Sequence, residues 1–517
     1  QVVYDGYSPV SLGGETRGLP RPFYVPTSPT DDTLVFESRF ESGNLRRAVR
    51  VGPWEYDLVL QQDTNTNGRV QWFYFSVANV RAAENYKFNI VNLEKAESLY
   101  TRGMRVLMYS EQEAETCGVG WARAGTNVAY FPNTLDSRSR SLYTLSFTLR
   151  FPRADDRVYL ANHYPYTLSD NLRHLESLTT DPHSSKHCRR STLCKTLGRN
   201  NCDVITVTAG CDETSAWGHL VDDPPSLEYD DKLKRRRGVF LTSRVHPGEP
   251  GASWMLKGML DFLTSKDPVA RLLRLRFVFL IIPMLNPDGV VNGNYRCSLS
   301  GHDLNRQWQV PSPILHPTVY NAKMLLKRFC REREVVMFCD LHGHSHKDNI
   351  FIYGVNPKRK PAGPAKCRLF PKMLARGSET FRLESCSFKV KKNKEATARV
   401  VVAREFGVAC SYTLESTFGG ADFGVRCPIS SPQHTATAHA CHQALASVHF
   451  NTEHLEALGR QFCCTLLEMV ESDEWGPPAL RPRPTLRDDA PLRGPAAIAG
   501  AGVWTAFQSH DSWMRGR

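Results

Sequence analysis

The pattern of hydrophobic and polar positions divides the chain into two parts with different periods. From about Thr33 to Phe151, short runs rich in aromatic and β-branched residues partly alternate with polar positions, as in YKFNIVNL. This pattern is typical of strands with one buried face. Several such strands with regular turns predict an all-β sandwich. Two of these runs flank Asn67 and Gly68, a strong turn signal, and we predict that they pair as a hairpin.

Beyond about residue 200, apolar runs of strand length alternate with amphipathic helical segments. The run FVFLIIPML is continuous enough for a strand buried on both faces, whereas ASWMLKGMLDFL has the period of a helix. This alternation predicts an α/β domain with a mixed, mostly parallel sheet flanked by helices. Ligands of such sheets bind beyond the carboxyl ends of the strands. Polar residues that follow these strands are therefore the candidates for a functional site.

The changes of pattern predict the domain organisation. We expect a β-sandwich domain over residues 1–153 and an α/β domain over residues 154–475. Residues 476–517 are rich in Pro, Ala, Gly and Arg, a composition that favours disorder. Residues 425–448 have no clear period, and we expect an unusual loop there. Because the sequence begins at Gln1 rather than Met, we expect a fragment or a processed chain.

Composition narrows the class of protein. The chain has 517 residues, of which 41% are hydrophobic, and no apolar run approaches the roughly 20 residues that span a bilayer. Its 15 cysteines are odd in number and scattered, which fits a reducing cytosol better than a disulfide framework. The net charge of +12 favours a polyanionic partner, which could be nucleic acid, an acidic membrane or an acidic protein.

A histidine and a glutamate lie three residues apart where the strand GVFLTS ends. His246 and Glu249 are separated by Pro-Gly, whose non-helical backbone can turn both side chains toward one ion. A catalytic zinc takes three protein ligands and leaves one position for water. His342, at the end of the strand VVMFCDL, is the best third candidate, although spacing alone leaves His344 and His346 open. A histidine and a glutamate three residues apart also occur in ordinary surface turns, so the spacing alone does not indicate a metal site.

Five motifs resemble the cytosolic carboxypeptidases, the tubulin-deglutamylating branch of the zinc metallocarboxypeptidases. In chain order they are SRVHPGEPGASWMLKG, LNPDGVVNGNYRCSLSGHDLNRQW, FCDLHGHSHKDNIFIYG, ATARVVVAREFG and SYTLEST. The β-rich stretch is similar to the N-terminal domain of that family. The segment SLYTRGMRVLMYS resembles the vertebrate subgroup that shortens long polyglutamate side chains. The resemblance covers roughly residues 33–471.

The resemblance implies a role at each matching position. His246, Glu249 and His342 correspond to the ligands of one Zn²⁺ per chain. Arg296 corresponds to the arginine that polarises the scissile carbonyl, and Glu415 to the general base. The chemistry agrees, since a carboxylate must take a proton from water and later give it to the leaving amine.

Four further residues or segments are candidates for binding the substrate or supporting the metal site. The resemblance implies that Asn305 and Arg306 bind the terminal carboxylate of the substrate. The planar guanidinium of arginine can donate two parallel hydrogen bonds to a carboxylate. The stretch FKVKKNKEATARVVVARE supplies positive charge, and we expect Arg399 to be the cation that meets a glutamate side chain. The lysines of this stretch are expected to attract an acidic tail at longer range. Asp340 is a candidate acceptor for the ring N–H of a metal ligand.

These observations favour a zinc metallocarboxypeptidase that removes C-terminal or side-chain glutamates from polyglutamylated tubulin or other acidic-tailed proteins. The expected protein is a cytoplasmic monomer, at centrioles, basal bodies or cilia, with no nucleic-acid partner and no membrane span. Two alternatives are a catalytically weak module that binds acidic tails and a zinc amidohydrolase acting on small N-acyl amino acids. The intact Glu415 argues against the first, and the β-rich N-terminal part against the second.

Overall fold

The computed structural model describes residues 1–6, 22–134, 141–210, 236–357, 366–422 and 448–472. The unusual loop predicted at residues 425–448 lies outside these ranges except for its last residue. The disordered tail predicted at residues 476–517 lies wholly outside them.

Among the described residues up to Ala161, eleven strands form two sheets. They are β1 (Val2–Asp5), β2 (Val35–Glu37), β3 (Leu45–Gly52), β4 (Glu55–Leu60), β5 (Tyr74–Ala78), β6 (Asn85–Leu93), β7 (Val106–Ser110), β8 (Ala122–Ala124), β9 (Thr126–Asn133), β10 (Leu142–Arg150) and β11 (Val158–Ala161). One sheet has the order β1-β3-β4-β6-β10-β9, and the other β2-β5-β11-β7-β8. A short helix, α1 (Glu111–Cys117), follows β7.

The two sheets bury their facing sides in one core. In β4, Tyr56, Leu58 and Leu60 alternate with partly exposed residues, as the sequence pattern predicts for a half-buried strand. They join Phe75 and Val77 of the other sheet in the same buried cluster. The predicted β-rich N-terminal architecture is therefore confirmed.

The predicted hairpin around Asn67 and Gly68 is wrong. Its two strands, β4 and β5, lie in different sheets and do not pair with each other. Gly68 does take a positive φ of 131°, so the chain turns here as expected. The intervening loop instead reaches residues of the second part, because Asp63 accepts the backbone N–H of Tyr295.

The second part contains a seven-stranded sheet with the order β12-β13-β15-β14-β16-β18-β17. Its strands are β12 (Cys188–Lys195), β13 (Asn201–Val207), β14 (Arg237–Ser243), β15 (Phe277–Ile282), β16 (Val335–His344), β17 (Ile350–Tyr353) and β18 (Cys410–Thr417). The four central strands, β15, β14, β16 and β18, are parallel, and the outer pairings are antiparallel. The mixed α/β sheet is thus confirmed, with its parallel part in the centre. A two-stranded ribbon, β19 (Gly420–Ala421) and β20 (Val448–His449), follows.

Helices cover both faces of this sheet. They are α2 (Leu168–Thr180), α3 (Gly251–Thr264), α4 (Pro268–Arg276), α5 (Pro287–Val291), α6 (Pro317–Glu332), α7 (Leu369–Gly377), α8 (Ala398–Glu405) and α9 (Thr452–Glu471). Helices α3 and α9 pack in the core of one face, and α6 and α8 in that of the other. In α3, Gly258 leaves no room for a side chain against the backbone of Glu456, so these two helices approach closely. Within the described ranges, no helix combines the length and apolarity that a membrane crossing requires.

Candidate functional site

Three buried side chains converge beyond the carboxyl ends of the central strands. Nδ1 of His246 lies 2.9 Å from Oε1 of Glu249, and Nδ1 of His342 lies 3.0 Å from Oε2 of the same carboxylate. The two Nδ1 atoms are 3.1 Å apart. One donor atom from each residue therefore falls within a sphere small enough for a single metal ion, with all such atoms within 4.8 Å of one another.

The loop that carries two of these residues is held by a buried arginine. Arg244, the residue that follows β14, has a φ of +56° and is 2% exposed. Its guanidinium donates to the carbonyl oxygens of Pro247 and Tyr166, each at 2.8 Å, and to the hydroxyl of Ser253 at 3.0 Å. Gly248 has no room for a side chain against Tyr295. The Pro-Gly spacer is therefore fixed by packing as well as by its own backbone preferences.

Carboxylates hold the outward-facing ring nitrogen of each histidine. Nε2 of His342 lies 2.6 Å from Oδ2 of Asp340, whose other oxygen accepts from the hydroxyl of Thr242 at 2.7 Å. Nε2 of His246 lies 3.1 Å from Oδ1 of Asp303. A carboxylate on one ring nitrogen orients the imidazole and leaves the other nitrogen free to bind a metal. The sequence suggested Asp340 for this position, but it did not suggest Asp303.

The electrostatics of the three ligands suit a divalent cation. Burial alone would raise the pKa of Glu249, but the charges and hydrogen bonds of His246 and His342 hold it well below its usual range. A charged carboxylate and two inward-facing imidazole nitrogens then meet in a buried space. Two histidines and one glutamate form a ligand set of catalytic zinc. The residues present therefore fit a zinc ion, which the cleft beside them leaves accessible to substrate.

Glu415 lies beside this centre because the sheet brings it there. It is the register partner of His342 in the parallel pair of β16 and β18, and it lines the same cleft. Burial, together with the charge of Glu249, raises the pKa of Glu415 to about 7, although the two ligand histidines oppose the shift.

Three predicted site residues, the catalytic candidate Arg296 and the substrate-binding candidates Asn305 and Arg306, lie on the loop between α5 and α6. Arg296 pairs with Asp303, its Nε and Nη2 atoms each 2.8 Å from Oδ2 of that carboxylate. Arg306 lies at the end of a 3₁₀ turn and is partly exposed to the cleft. Asn305 is 4% exposed, with Nδ2 3.2 Å from Nε2 of His342 and Oδ1 accepting from the N–H of Ala398. All three line one cleft with the ligands.

Arg399 reaches the same cleft from the first turn of α8. It is 7% exposed, and its guanidinium carbon lies 5.4 Å from the centre of the Tyr353 ring. Its Nε has no hydrogen-bond partner among the described residues. Burial lowers the pKa of Arg399, although the charge of Glu415 opposes this.

The cleft has a volume of about 690 Å³ and is strongly basic. Among the described residues that line it, nine are lysine or arginine and three are aspartate or glutamate. The basic residues are Arg69, Lys95, Arg296, Arg306, Lys347, Lys389, Lys391, Lys394 and Arg399. Two of them, Arg69 and Lys95, come from the N-terminal part, and the sequence pattern did not single them out. Such a cleft favours an anionic ligand.

The competing histidines lie outside the three-residue cluster. His344 packs its ring 5.2 Å from that of Phe351, and its Nδ1 accepts the backbone N–H of His346. The ring of His346 lies 3.8 Å from the carboxylate of Glu97. Among the described residues, the cluster suited to a metal contains His342 alone of the three histidines near the end of β16.

Two family models match the chain, one in its N-terminal β-rich part and the other in the part with the mixed sheet. The model of the cytosolic carboxypeptidase N-terminal domain matches residues 36–138, and the zinc carboxypeptidase model matches residues 179–423. The chain is 42% identical over 474 residues to cytosolic carboxypeptidase 2 of Homo sapiens, a match covering 91% of this chain and 48% of that protein. It is 42% identical over 465 residues to cytosolic carboxypeptidase 1 of Danio rerio, a match covering 86% of this chain and 38% of that protein.

Solved structures agree in fold. A metallo-carboxypeptidase from Burkholderia cenocepacia has a TM-score of 0.64 and 22% identity, and the match covers 85% of this chain and 99% of that one. A metallo-carboxypeptidase from Pseudomonas aeruginosa, solved with (2-guanidinoethylmercapto)succinic acid, has a TM-score of 0.62 and 19% identity, with coverages of 84% and 99%. At these identities the likeness establishes the fold alone.

The curated relatives are much longer than this chain, which spans less than half the length of the two described above. The similarity nevertheless runs through both the β-rich part and the mixed-sheet part that carries the three converging ligands. With both family models matched in order and 42% identity to members from fish and human, the chain belongs to the cytosolic carboxypeptidases of the zinc carboxypeptidase family.

Proposed function

We propose that this chain is a zinc-dependent metallocarboxypeptidase that removes glutamates from the C-termini or side chains of polyglutamylated proteins such as tubulin. One observation carries the proposal. A candidate set of metal ligands, the carboxylate of Glu415 and several arginines line one basic cleft. That combination is what hydrolysis at an anionic chain end requires.

His246, Glu249 and His342 would hold the zinc ion, with Asp303 and Asp340 orienting the two imidazoles. When bound, zinc supplies Lewis-acid chemistry, since it lowers the pKa of a water molecule and polarises a carbonyl. Each imidazole is oriented by a carboxylate at its Nε2, which leaves its Nδ1 available to a metal ion.

Glu415 would act as the general base and then the general acid. It takes a proton from the attacking water and returns it to the leaving amine, so that the peptide C–N bond breaks. Arg296 would stabilise the negative charge that develops on the carbonyl oxygen. Its pairing with Asp303 supports this role, because the pair fixes the guanidinium beside the metal ligands.

Arg306 and Asn305 would bind the terminal carboxylate, which makes the enzyme an exopeptidase. The guanidinium of Arg306 is accessible from the cleft and suits two parallel hydrogen bonds to a carboxylate. Arg399 would meet the side chain of a terminal glutamate. Its burial supports this assignment, as does its Nε, which has no partner in the described part of the chain, since a buried charge without a partner is costly.

The outer rim would guide the acidic tail that precedes the terminal residue. Lys389 and Lys391 line the cleft, as do Arg69 and Lys95 of the N-terminal part. Positive charge on both parts of the chain favours an extended anionic ligand over a small N-acyl amino acid. We further propose a cytoplasmic location, in line with the names of the relatives, and action at centrioles, basal bodies or cilia.

The test uses purified protein and a synthetic tubulin-tail peptide that carries a glutamate side chain. Mass spectrometry should show stepwise loss of glutamate. Loss should stop with 1,10-phenanthroline and return with added Zn²⁺.

Two outcomes would contradict the proposal. Tight binding of the peptide without any cleavage would indicate a module that recognises acidic tails. Cleavage of N-acyl amino acids with no effect on the peptide would indicate an amidohydrolase. The Glu415→Gln variant controls for a contaminating peptidase, because it should be inactive after the same purification.

A further inference from the structure

An aspartate of the N-terminal sandwich binds the loop that carries Arg296. Asp63 lies between β4 and β5 and is 3% exposed. One of its carboxylate oxygens accepts the N–H of Tyr295 at 2.5 Å. The other accepts the N–H groups of Arg296 and Cys297, each at 2.7 Å. A single carboxylate thus satisfies three consecutive backbone donors on a segment more than 230 residues away.

The two residues after Asp63 extend this contact. Thr64 donates from its N–H and its hydroxyl to Oδ1 of Asn294, at 3.2 and 3.1 Å. Asn65 donates from its side chain to the carbonyl oxygen of Leu299 at 2.7 Å. Residues 63–65 are therefore joined by hydrogen bonds to five of the six residues of segment 294–299, and we call this contact the Asp63 clamp.

The clamped loop touches the metal ligands on its other side. The carbonyl oxygen of Tyr295 accepts the N–H of Gly248, which lies between His246 and Glu249, at 2.8 Å. The side chain of Arg296 binds Asp303, which in turn binds His246. A shift of the loop backbone would therefore move the guanidinium of Arg296 relative to the candidate metal ligands His246 and Glu249.

We propose that Asp63 is a positioning residue, through which the N-terminal sandwich fixes the place of Arg296 beside the candidate metal ligands. The proposal rests on the catalytic role proposed for Arg296. It makes the N-terminal part a component of the active site rather than a separate accessory domain. An asparagine at position 63 would have nearly the same shape, but its NH₂ group would face at least one backbone donor and repel it.

The first test measures the clamp without using activity. Hydrogen exchange of peptides covering residues 294–301 is compared between the wild type and Asp63→Asn. Faster exchange in the variant is expected, because three amide protons lose a charged acceptor. Asp156→Asn is the matched control, since Asp156 is a buried carboxylate of the same sandwich that binds Ser110 and Gln112. Unchanged exchange of residues 294–301 in Asp63→Asn would overturn the proposal.

The second test separates positioning from general destabilisation. Asp63→Asn should lower kcat/KM by about 10- to 100-fold, the range typical of residues that orient a catalytic group. In an Arg296→Ala background, Asp63→Asn should lower kcat/KM by less than about threefold, because the guanidinium that Asp63 positions is already absent. Asp156→Asn should leave kcat/KM near the wild-type value in both backgrounds, and zinc content should not change.

Equal losses from Asp63→Asn in the two backgrounds would overturn the positioning role, even if the loop exchanges faster. If the wild type cleaves no substrate, the proposed function fails, and hydrogen exchange alone then decides the proposal. Faster exchange confined to residues 294–301 would still support the clamp.

Discussion

Nδ1 of His342 lies 3.0 Å from the carboxylate of Glu249, although 93 residues separate them along the chain. The parallel pairing of β14 with β16 produces this contact, because it brings the ends of both strands to one edge of the sheet. The same edge receives Glu415 from β18. The candidate centre is thus a direct consequence of strand order, and each of its residues can be tested separately.

Removal of either histidine ligand should abolish stoichiometric zinc binding. His246→Ala and His342→Ala each leave two ligands, too few to hold zinc against a mild chelator. The measurement is metal content by mass spectrometry after dialysis, expected to be about one zinc per wild-type chain. His344→Ala is the matched control and should retain its zinc, because His344 lies outside the cluster. Full zinc content in both ligand variants would show that the ion binds elsewhere.

Glu415→Gln should retain zinc and substrate binding while losing most turnover. The substitution preserves volume and removes only the group that transfers protons, so kcat should fall by about 10²- to 10⁴-fold. Steady-state kinetics with a glutamate-ended peptide provide the measurement. Glu405→Gln is a suitable control, since Glu405 ends α8 and pairs with Lys323 away from the cleft. A near-normal kcat for Glu415→Gln would reject Glu415 as the base.

Arg306→Ala should weaken recognition of the chain end. Charged hydrogen bonds contribute about 1.5–3 kcal/mol, so the value of KM should rise by roughly 10- to 100-fold. The comparison is between a peptide with a free C-terminus and the same peptide with an amidated one. The wild type should discriminate strongly between them, and the variant much less. Undiminished discrimination in Arg306→Ala would mean that another group binds the carboxylate.

The sequence predicted the site residues that lie at strand ends or in the recognised motifs, and it missed those that reach the site through tertiary packing. Asp303 binds His246 across 57 residues, and nothing in the spacing of the two distinguishes this pair. Arg244 looks like an ordinary strand-end residue, yet its burial fixes the ligand loop.

The same reason explains the error in the N-terminal part. The polar run around Asn67 has the composition of a hairpin turn, and the chain does turn there. However, Asp63 itself is buried and is polar because it binds the loop before α6, rather than because it is exposed. The composition of a turn indicates its local backbone geometry. Which group a buried carboxylate binds depends on the tertiary fold, which the local sequence does not show.

A buried histidine between the two parts should make the protein sensitive to mild acid. His163 is 1% exposed, with its ring 5.3 Å from that of Phe418, and burial together with the charge of Arg123 lowers its pKa to about 3. An unfolded histidine has a pKa of about 6.5. The neutral ring therefore contributes stability that is fully present above pH 6.5 and is lost as the pH falls toward 3.

His163→Leu should reduce this acid sensitivity. Between pH 7 and pH 5, the wild type should lose about 2 kcal/mol more unfolding free energy than the variant does. Urea titrations of both proteins at the two pH values provide the measurement. The comparison uses the change in unfolding free energy with pH, so a different stability of the variant at pH 7 does not affect it. Equal losses in the two proteins would show that His163 does not titrate on unfolding.

Arg399→Leu should shift the enzyme's preference away from glutamate. Because Arg399 is 7% exposed and faces the cleft, its interaction with a glutamate side chain is shielded from water. The ratio of kcat/KM for glutamate-ended over leucine-ended peptides should fall by about 10- to 100-fold, at low and at high salt alike. Neutralising Lys389 and Lys391 is the matched comparison. These rim residues should change only the encounter rate, and their effect should fade with salt, since the screening length is about 8 Å at physiological ionic strength. An unchanged ratio in Arg399→Leu would assign glutamate recognition to a different residue of the cleft.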